Sequence, residues 1–341
     1  MSAQHPRISV VIPAYGCRSS IGDVIAALRA QTTRPTEIIV VDDCSPDGLA
    51  EALDPLRDEI TVLRNPRNLG LSRTFNRGLR EASGEFVLTL HSDCILASDY
   101  LERLWRILDA QPGVGAVTGQ YDLTDFADMT LSDQLFCVLN RLPLMPDPVA
   151  PELEEIAFVE GKADLFRTRE IAAFGHFTEN LRLTAEDQDL SARYRRAGFS
   201  LLQVNAARFH SKYNATQDSL WKVLRKQYTY ARGQAYVLLR YGWDAVKVTT
   251  RNRNARAVHR LSQVLWTAAL GLSLLGGFFW PLAFVAAGGL VLSRIAYYAA
   301  ISAPLPLHRR LIAAFVGLAA DACYTIGLVQ GIVLTVVRGI A

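Results

Sequence analysis

Three groups of acids in this 341-residue chain stand where they could do chemistry. Asp42 and Asp43 end the apolar run Glu37 to Val41, Asp93 closes the run Phe86 to Leu90 through His91 and Ser92, and Glu186, Asp187 and Asp189 crowd the start of a helical stretch. Carboxylates so placed can accept hydrogen bonds from a polar ligand, hold a hard divalent cation, or remove a proton. Each group also has an ordinary reading. Ser92 or Asp93 caps the helix beginning near Ser98 or closes a turn, Asp42-Asp43 is a solvated turn, and the acids behind Thr184 complement a helix dipole. The choice depends on whether the fold gathers all three at one edge.

The surrounding elements argue that it does. Apolar, β-branched runs at Ile8 to Ile12, Glu37 to Val41, Ile60 to Leu63 and Phe86 to Leu90 read as buried strands. They alternate with helical patterns at Ile21 to Ala30, Asp47 to Leu56 and Leu71 to Ala82. Such alternation predicts an α/β fold, a mainly parallel, Rossmann-like sheet with helices on both faces. Ligands of these sheets collect at the carboxyl ends of the strands, where Asp42-Asp43 and Asp93 both fall. Past Val117 the pattern loosens: Asp122 to Pro151, with the proline-rich LPLMPDPVAP, reads as an irregular excursion. Short strands are predicted at Ala157 to Val159 and Ala163 to Phe166, a helix from Thr184, and a strand from Leu201 to Phe209. The glycines of Gly113 to Gly119 have the wrong spacing for a dinucleotide fingerprint, and no GxxxxGK[ST] phosphate loop occurs.

Composition changes along the chain. Half the residues are hydrophobic and the formal net charge is only +3, yet Lys222 to Arg260 holds ten Lys or Arg residues and one acid, Asp244. Leu261 to Ser293 then carries no charge. As one helix those 33 residues would reach about 50 Å, against a bilayer core of roughly 30 Å. A break at Gly276-Gly277 and Trp280-Pro281 gives expected spans of about 261–279 and 281–301, and 311–337 is a third. Trp221, Tyr228, Tyr230, Tyr236, Tyr241 and Trp243 interleave with Lys and Arg before these spans, as in a helix lying on an anionic membrane. The adjoining apolar tail favours membrane over nucleic acid. Basic residues before the first span and at Arg309-Arg310 put the front domain on the cytoplasmic side of a multi-pass cell-membrane protein. Arg294 and Asp321 either pair or mark a headgroup path, or Arg294 snorkels. The expected divisions are 1–215, 216–260 and 261–341. Five scattered cysteines without a CxxC pair read as reduced thiols.

Four segments in order, SVVIPAYG (9–16), EIIVVDDCSPDG (37–48), NPRNLGLSRTFNRGLREASGEFVLTLHSD (65–93) and GHFTENLRLTAEDQDLSARYRRAGF (175–199), resemble the family 2 glycosyltransferases, which have a GT-A fold. The resemblance covers about residues 7 to 210. It implies that Pro13, Ala14 and Tyr15 touch the nucleotide of a UDP- or GDP-type sugar donor and that Asp43, beside Asp42, recognises its base. It further implies that Asn68, Gly70, Arg73 and Asn76 flank the nucleotide and that Ser92 and Asp93 belong to the donor-diphosphate motif. Asp93 would hold a divalent cation, Mg²⁺ or Mn²⁺, and Asp187, next to Glu186, would be the catalytic base. The sequence departs from the family at His91, where an Asp is most frequent, and at Phe75, where an Arg is frequent. His91 and His210 are therefore candidate metal ligands in compensation, with backbone-bonded histidine as the ordinary reading of His210. The implied activity is inverting transfer of a sugar to a lipid-linked or glycan acceptor; a polyprenyl phosphate acceptor and a catalytically inactive membrane scaffold are the other readings. The QxxRW pattern of processive synthases is absent.

Overall fold

The structure, a computed structural model, describes residues 6–142, 151–179, 185–211, 219–242, 251–277 and 282–338. The chain divides into two compact units, one of residues 1–122 and 147–213, the other of 123–146 and 214–341.

The first unit opens as the sequence predicts. Strand β1 (Ile8–Ala14), helix α1 (Ile21–Arg29), β2 (Glu37–Asp42), a short α2 (Leu49–Leu53), β3 (Thr61–Arg64), α3 (Leu71–Glu81) and β4 (Phe86–Leu90) follow one another. The order β3-β2-β1-β4 is parallel throughout, with Val11 opposite Ile39 and Thr89. Val11, Ile39, Val41 and Val87 share a core with Phe75 and Leu79 of α3. Strand side chains alternate between faces, so the equally buried Val10, Ile12, Val40 and Leu88 line the other side. Asp47 does not cap α2. Gly48, at φ +75°, precedes that helix, and Asp47 Oδ2 accepts from the Arg18 N–H at 2.9 Å.

The rest of the sheet corrects the mainly parallel expectation. After β5 (Cys94–Leu96), α4 (Tyr100–Ala110) and β6 (Val114–Tyr121) come β7 (Leu153–Glu155), β8 (Ala163–Arg167), α6 (Thr168–Ala173), α7 (Glu186–Arg196) and β9 (Ser200–Ser211). Strand β8 runs antiparallel between β4 and β6, β9 is parallel to β6, and β5 and β7 pair antiparallel with β9. The sheet is therefore mixed, because β8 enters beside β4 from the opposite end. The strand expected at 157–159 is not formed; β7 lies just before it. Leu190 and Tyr194 of α7 and Ile171 of α6 complete the core beside α3. Helix α4 is preceded by Asp99, so neither Ser92 nor Asp93 caps it.

The second unit contains α5 (Leu131–Leu139), α8 (Leu220–Tyr241), α9 (Arg251–Gly277), α10 (Leu282–Ile301) and α11 (Leu307–Arg338). Helix α5 is a correction, since Asp122 to Pro151 reads as irregular; most of the proline run, 143–150, lies outside the described residues. The Thr130 hydroxyl caps α5 by accepting from the Asp133 N–H. Residues 123–146 group with this unit rather than with a continuous front domain, and the polar contacts show why. Arg309 donates to Gln134 Oε1 at 2.5 Å and Arg260 to Asn140 Oδ1 at 2.6 Å.

Among the described residues one helix, Leu307–Val337, is long and apolar enough to cross a membrane, rather than the three expected. The first expected span falls in α9, which begins with the arginine-rich 251–260. The apolar part of α10, Val285–Ile301, is shorter; of the expected break, Gly276-Gly277 is the end of α9, and Trp280-Pro281 lies outside the described residues, as does Trp243. Helix α8 is amphipathic, with Trp221 70% exposed, but its other face packs along α11. Contact is close where Gly327 and Gly331 stand: a Cβ on Gly327 would lie 2.2 Å from the Tyr228 carbonyl oxygen. Arg294 does not snorkel. Its Nε and Nη2 reach the two oxygens of fully buried Asp321 at 2.7 and 3.0 Å, Tyr298 donates to the same carboxylate at 2.6 Å, and Nη1 donates to Ser262 at 2.9 Å. A charge pair with every oxygen bonded is the form in which buried ions persist.

Candidate active site

The three acidic groups lie around one end of the first unit's sheet, and each is positioned differently. Asp42 is the last residue of β2, and its Oδ1 accepts from the Ser45 N–H at 2.8 Å. Asp43 is 4% exposed. Its Oδ1 accepts from Asn65 Nδ2 at 2.7 Å and the Leu69 N–H at 2.8 Å, and its Oδ2 from the Gly70 N–H at 2.9 Å. Asp43 therefore braces the loop that leads into α3. Gly70 takes φ +87° to aim its N–H at that carboxylate. Asn68 is exposed on the same loop, and Tyr15, just past the buried Pro13 and Ala14, is 55% exposed.

Arg73 and Asn76 face elsewhere on α3. Arg73 Nε lies 3.4 Å from Glu179. Asn76, 2% exposed, donates to the Phe177 carbonyl at 2.8 Å and accepts from the Phe177 N–H at 3.0 Å. These two residues tie α3 to the segment before α7.

Asp93 lies in the turn between β4 and β5. Lys162, the residue before β8, puts its ammonium 3.3 and 3.2 Å from the two Asp93 oxygens. Ser211 donates to Oδ2 at 3.3 Å, and the Cys94 thiol to Oδ1 at 3.4 Å. Burial by itself would raise this carboxyl, but the charges of Lys162 and His91 outweigh it and hold Asp93 well below the usual carboxylate range. The backbone fixes the same group. The His91 N–H donates to the Lys162 carbonyl at 2.9 Å, extending the β4–β8 ladder by one bond. Ser20 donates to the Ser92 carbonyl at 2.9 Å, tying the loop after β1 to this turn. The His91 ring stands 5.8 Å from the Phe75 ring. His210 pairs with Ile95 in the β5–β9 ladder, and its neighbour Ser211 is the residue on that strand bonded to Asp93. Side-chain alternation sends His210 to the opposite face.

Asp187 is the second residue of α7, which starts behind Ala185, whose φ is +80°; Thr184 lies outside the described residues. Asp187 Oδ1 accepts from the Gln188 N–H at 2.8 Å. Burial first, then the nearby charges of Glu186, Glu160 and Asp164, push its carboxyl well above its ordinary value. Burial likewise raises Glu186. Asp189, by contrast, is spent on structure: it accepts from Thr178 at 2.6 Å and pairs with Arg193 at 2.9 Å.

One turn joins the two halves of the site. Gly161, at φ +70°, donates its N–H to Asp164 Oδ2 at 2.8 Å, and a Cβ there would lie 3.2 Å from that of Asp187. The next residue is Lys162, on Asp93. Residues 161–162 thus touch Asp187 on one side and Asp93 on the other. Sequence reading passes over Lys162, Asn65 and Ser211. The one signal for Lys162 is a cation within the otherwise acidic and apolar VEGKADLF (159–166), immediately before a predicted strand.

A divalent cation at Asp93 fits this donor set poorly. Among the described residues no three His, Cys, Asp or Glu side chains group to hold a metal ion, and both oxygens of Asp93 already face an ammonium. All five cysteines are unbridged, and burial pushes the Cys17 thiol up to about 11.

Residues 9–146 match the family model for glycosyl transferase family 2. The front of this chain is similar to the family 2 glycosyltransferases. It is 33% identical over 106 residues to the teichuronic acid biosynthesis glycosyltransferase TuaG of Bacillus subtilis, covering 30% of this chain and 42% of that protein. It is 28% identical over 164 residues to the succinoglycan biosynthesis protein ExoO of Rhizobium meliloti, covering 48% of this chain and 44% of that one. The chain thus spans less than half the length of these curated relatives. In fold it is similar to the mannosyltransferase PcManGT from Pyrobaculum calidifontis, solved with GDP-Man and Mn²⁺, at TM-score 0.62 and 21% identity over 93% of this chain and 88% of that one. GalNAc-T7, solved with UDP, GalNAc and Mn²⁺, is similar at TM-score 0.51 and 18% identity over 69% of this chain and 51% of that one. These solved neighbours establish an α/β, GT-A-like fold and are glycosyltransferases crystallised with a divalent cation.

Proposed function

We propose that this protein transfers a glycosyl group from a UDP- or GDP-type sugar to a hydroxyl of a lipid-linked or glycan acceptor, in one displacement with inversion. The observation that carries this reading is the 161–162 turn, which has Asp93 on one side and Asp187 on the other, in a unit whose front matches the glycosyl transferase family 2 model. An inverting displacement needs those two functions at opposite ends of the reacting bond. Charge must be compensated where the diphosphate leaves, and a base is needed where the acceptor hydroxyl attacks.

Asp187 suits the base role because burial, and then its neighbouring carboxylates, make it a stronger base than an exposed aspartate. Asp43 fits a nucleotide site in a specific way. By holding the N–H groups of Leu69 and Gly70 it fixes the loop against which a base and ribose would lie, and Tyr15 is exposed beside it. Glu186, in the first turn of α7, raises the proton affinity of Asp187 by its charge. A divalent ion, where one binds, would stabilise charge on the departing diphosphate.

The membrane part of the proposal rests on the second unit. Leu311, Phe315, Ile326, Val329, Val333 and Val336 of α11 are exposed apolar side chains, and Leu265, Leu272 and Leu292 extend such surface over α9 and α10. Apolar surface of this extent faces lipid or a partner rather than water. Relatives named for teichuronic acid and succinoglycan biosynthesis support a glycan acceptor handled at a membrane.

The test is to offer the detergent-purified protein a panel of UDP- and GDP-sugars with acceptor extracts. Nucleotide release and the anomeric configuration of the product are then measured. An inverted product supports the reading, and a retained configuration refutes it. Absence of both nucleotide binding and release across the panel would indicate an inactive scaffold.

A further inference from the structure

We propose that the Lys162 ammonium, docked on Asp93, is the cation that binds the donor's diphosphate, so that donor binding does not require a divalent metal ion. This rests on the donor reading above and assigns to Lys162 a role that the sequence comparison does not.

Three observations converge. Residue 91 is His, which leaves Asp93 as the one carboxylate of the 91–93 turn, so any cation there would have one carboxylate from this turn and would depend on diphosphate and water for its remaining oxygens. That carboxylate is already met by Lys162 at 3.2 and 3.3 Å, with Lys162 and Asp93 side chains only 19% and 14% exposed. A dication at the same oxygens would stand against a buried ammonium, and the two repel. Finally, the backbone that carries the lysine is held in place beside the 91–93 turn. The Lys162 carbonyl accepts from the His91 N–H at 2.9 Å, and Gly161 is pinned to Asp164 at 2.8 Å. The side chain does not have to be recruited from solvent.

The chemistry balances without a metal. The bond between the anomeric carbon and the diphosphate oxygen breaks with its electron pair on the oxygen. The acceptor oxygen bonds to that carbon and its proton passes to Asp187. The nucleoside diphosphate leaves with one additional negative charge, which the ammonium stabilises while Asp93 keeps it oriented and protonated. Lysine serves here as a compact point charge with three donors.

The experiment is calorimetric binding of UDP, GDP, UMP and GMP to the full chain in detergent, in EDTA and in Mn²⁺, with wild type, Lys162→Met and Lys162→Arg. Wild type is expected to bind one diphosphate in EDTA about as tightly as in Mn²⁺. Lys162→Met is expected to lose about ten- to a hundredfold in diphosphate affinity, the worth of one charge-assisted hydrogen bond, with monophosphate affinity unchanged. Lys162→Arg should keep part of the diphosphate preference. A circular-dichroism melt matching wild type confirms that the variants fold, and if Lys162→Met does not fold, the arginine variant and the wild-type metal titration still decide. The proposal is overturned if EDTA abolishes diphosphate binding by wild type and Mn²⁺ restores it, or if Lys162→Met binds diphosphates like wild type. Either result leaves the donor reading standing; failure of wild type to bind any of the four nucleotides in both buffers removes that reading as well.

Discussion

Replacing Asp187 by Asn tests the base assignment, because the structure separates its chemical from its structural role. Among the described residues Asp187 accepts from the Gln188 N–H at 2.8 Å, on Oδ1, which asparagine retains. The substitution removes a negative charge from a site that also holds Glu186, Glu160 and Asp164, and it takes away the group that receives the acceptor's proton. Loss of general-base help costs about 10² to 10⁴ in rate, or about 2.7 to 5.5 kcal/mol of barrier. Single-turnover transfer with saturating donor should therefore fall by that factor while diphosphate affinity is unchanged.

Stability should move the other way. A carboxyl whose folded pKa lies above its unfolded value contributes fully to stability below the unfolded pKa, and that contribution is lost as pH rises through the folded one. Above its folded pKa the wild type thus carries a costly charge that Asn removes, and in that pH range thermal stability should rise. The same raised value places the acid limb of the wild-type kcat/KM profile above the ordinary carboxylate range. Glu186→Gln, by deleting the neighbouring charge, should move that limb to lower pH. Transfer by Asp187→Asn within about tenfold of wild type, with an unmoved acid limb, would refute the base role. It would point to an acceptor such as a polyprenyl phosphate, which needs no base.

Asp43→Ala leaves the N–H groups of Leu69 and Gly70 without their acceptor and Asn65 Nδ2 with Thr74 Oγ1 alone. At about 1–3 kcal/mol for each unsatisfied buried group, partly relieved by water, a loss near 3 kcal/mol is expected in urea unfolding. Weaker nucleotide binding should accompany it, and unchanged stability would contradict the bracing role. Arg294→Met should cost about 3–5 kcal/mol, because Asp321 is left buried and unpaired, and Arg294→Met with Asp321→Leu should recover most of it. Thermal denaturation in detergent measures both, and additive losses would mean that the pair is not coupled. Gly327→Leu, which drives a side chain into the Tyr228 backbone, should destabilise by about 1–3 kcal/mol and loosen α8 from α11. Proteolysis between residues 211 and 251 reports that loosening, and wild-type resistance would show that the two helices do not need their close approach.

What the sequence determined by itself is the parallel half of the sheet and the identity of its acids. Phe86 to Leu90 and Glu37 to Val41 are apolar runs whose burial and polar ends are written locally, and β4 and β2 occupy those positions with shifts of at most a residue. The motifs that place Asp43, Asp93 and Asp187 are local too. Their partners are not. Asp43 meets Asn65 and Leu69, and Asp93 meets Lys162, 69 residues away. Hydrophobic periodicity states that Ala163 to Phe166 is buried, but not that it inserts antiparallel between β4 and β6, because a strand's side-chain pattern fixes its faces and leaves its direction and neighbours open. That insertion converts an unremarked lysine into the counter-ion of Asp93. The same holds in the second unit. Arg294 and Asp321 look like two isolated costs in apolar helices, and only packing of α10 on α11 makes them one bonded pair. The tertiary structure decided which charges meet, since long-range pairing depends on how the chain closes its loops and not on any window of sequence.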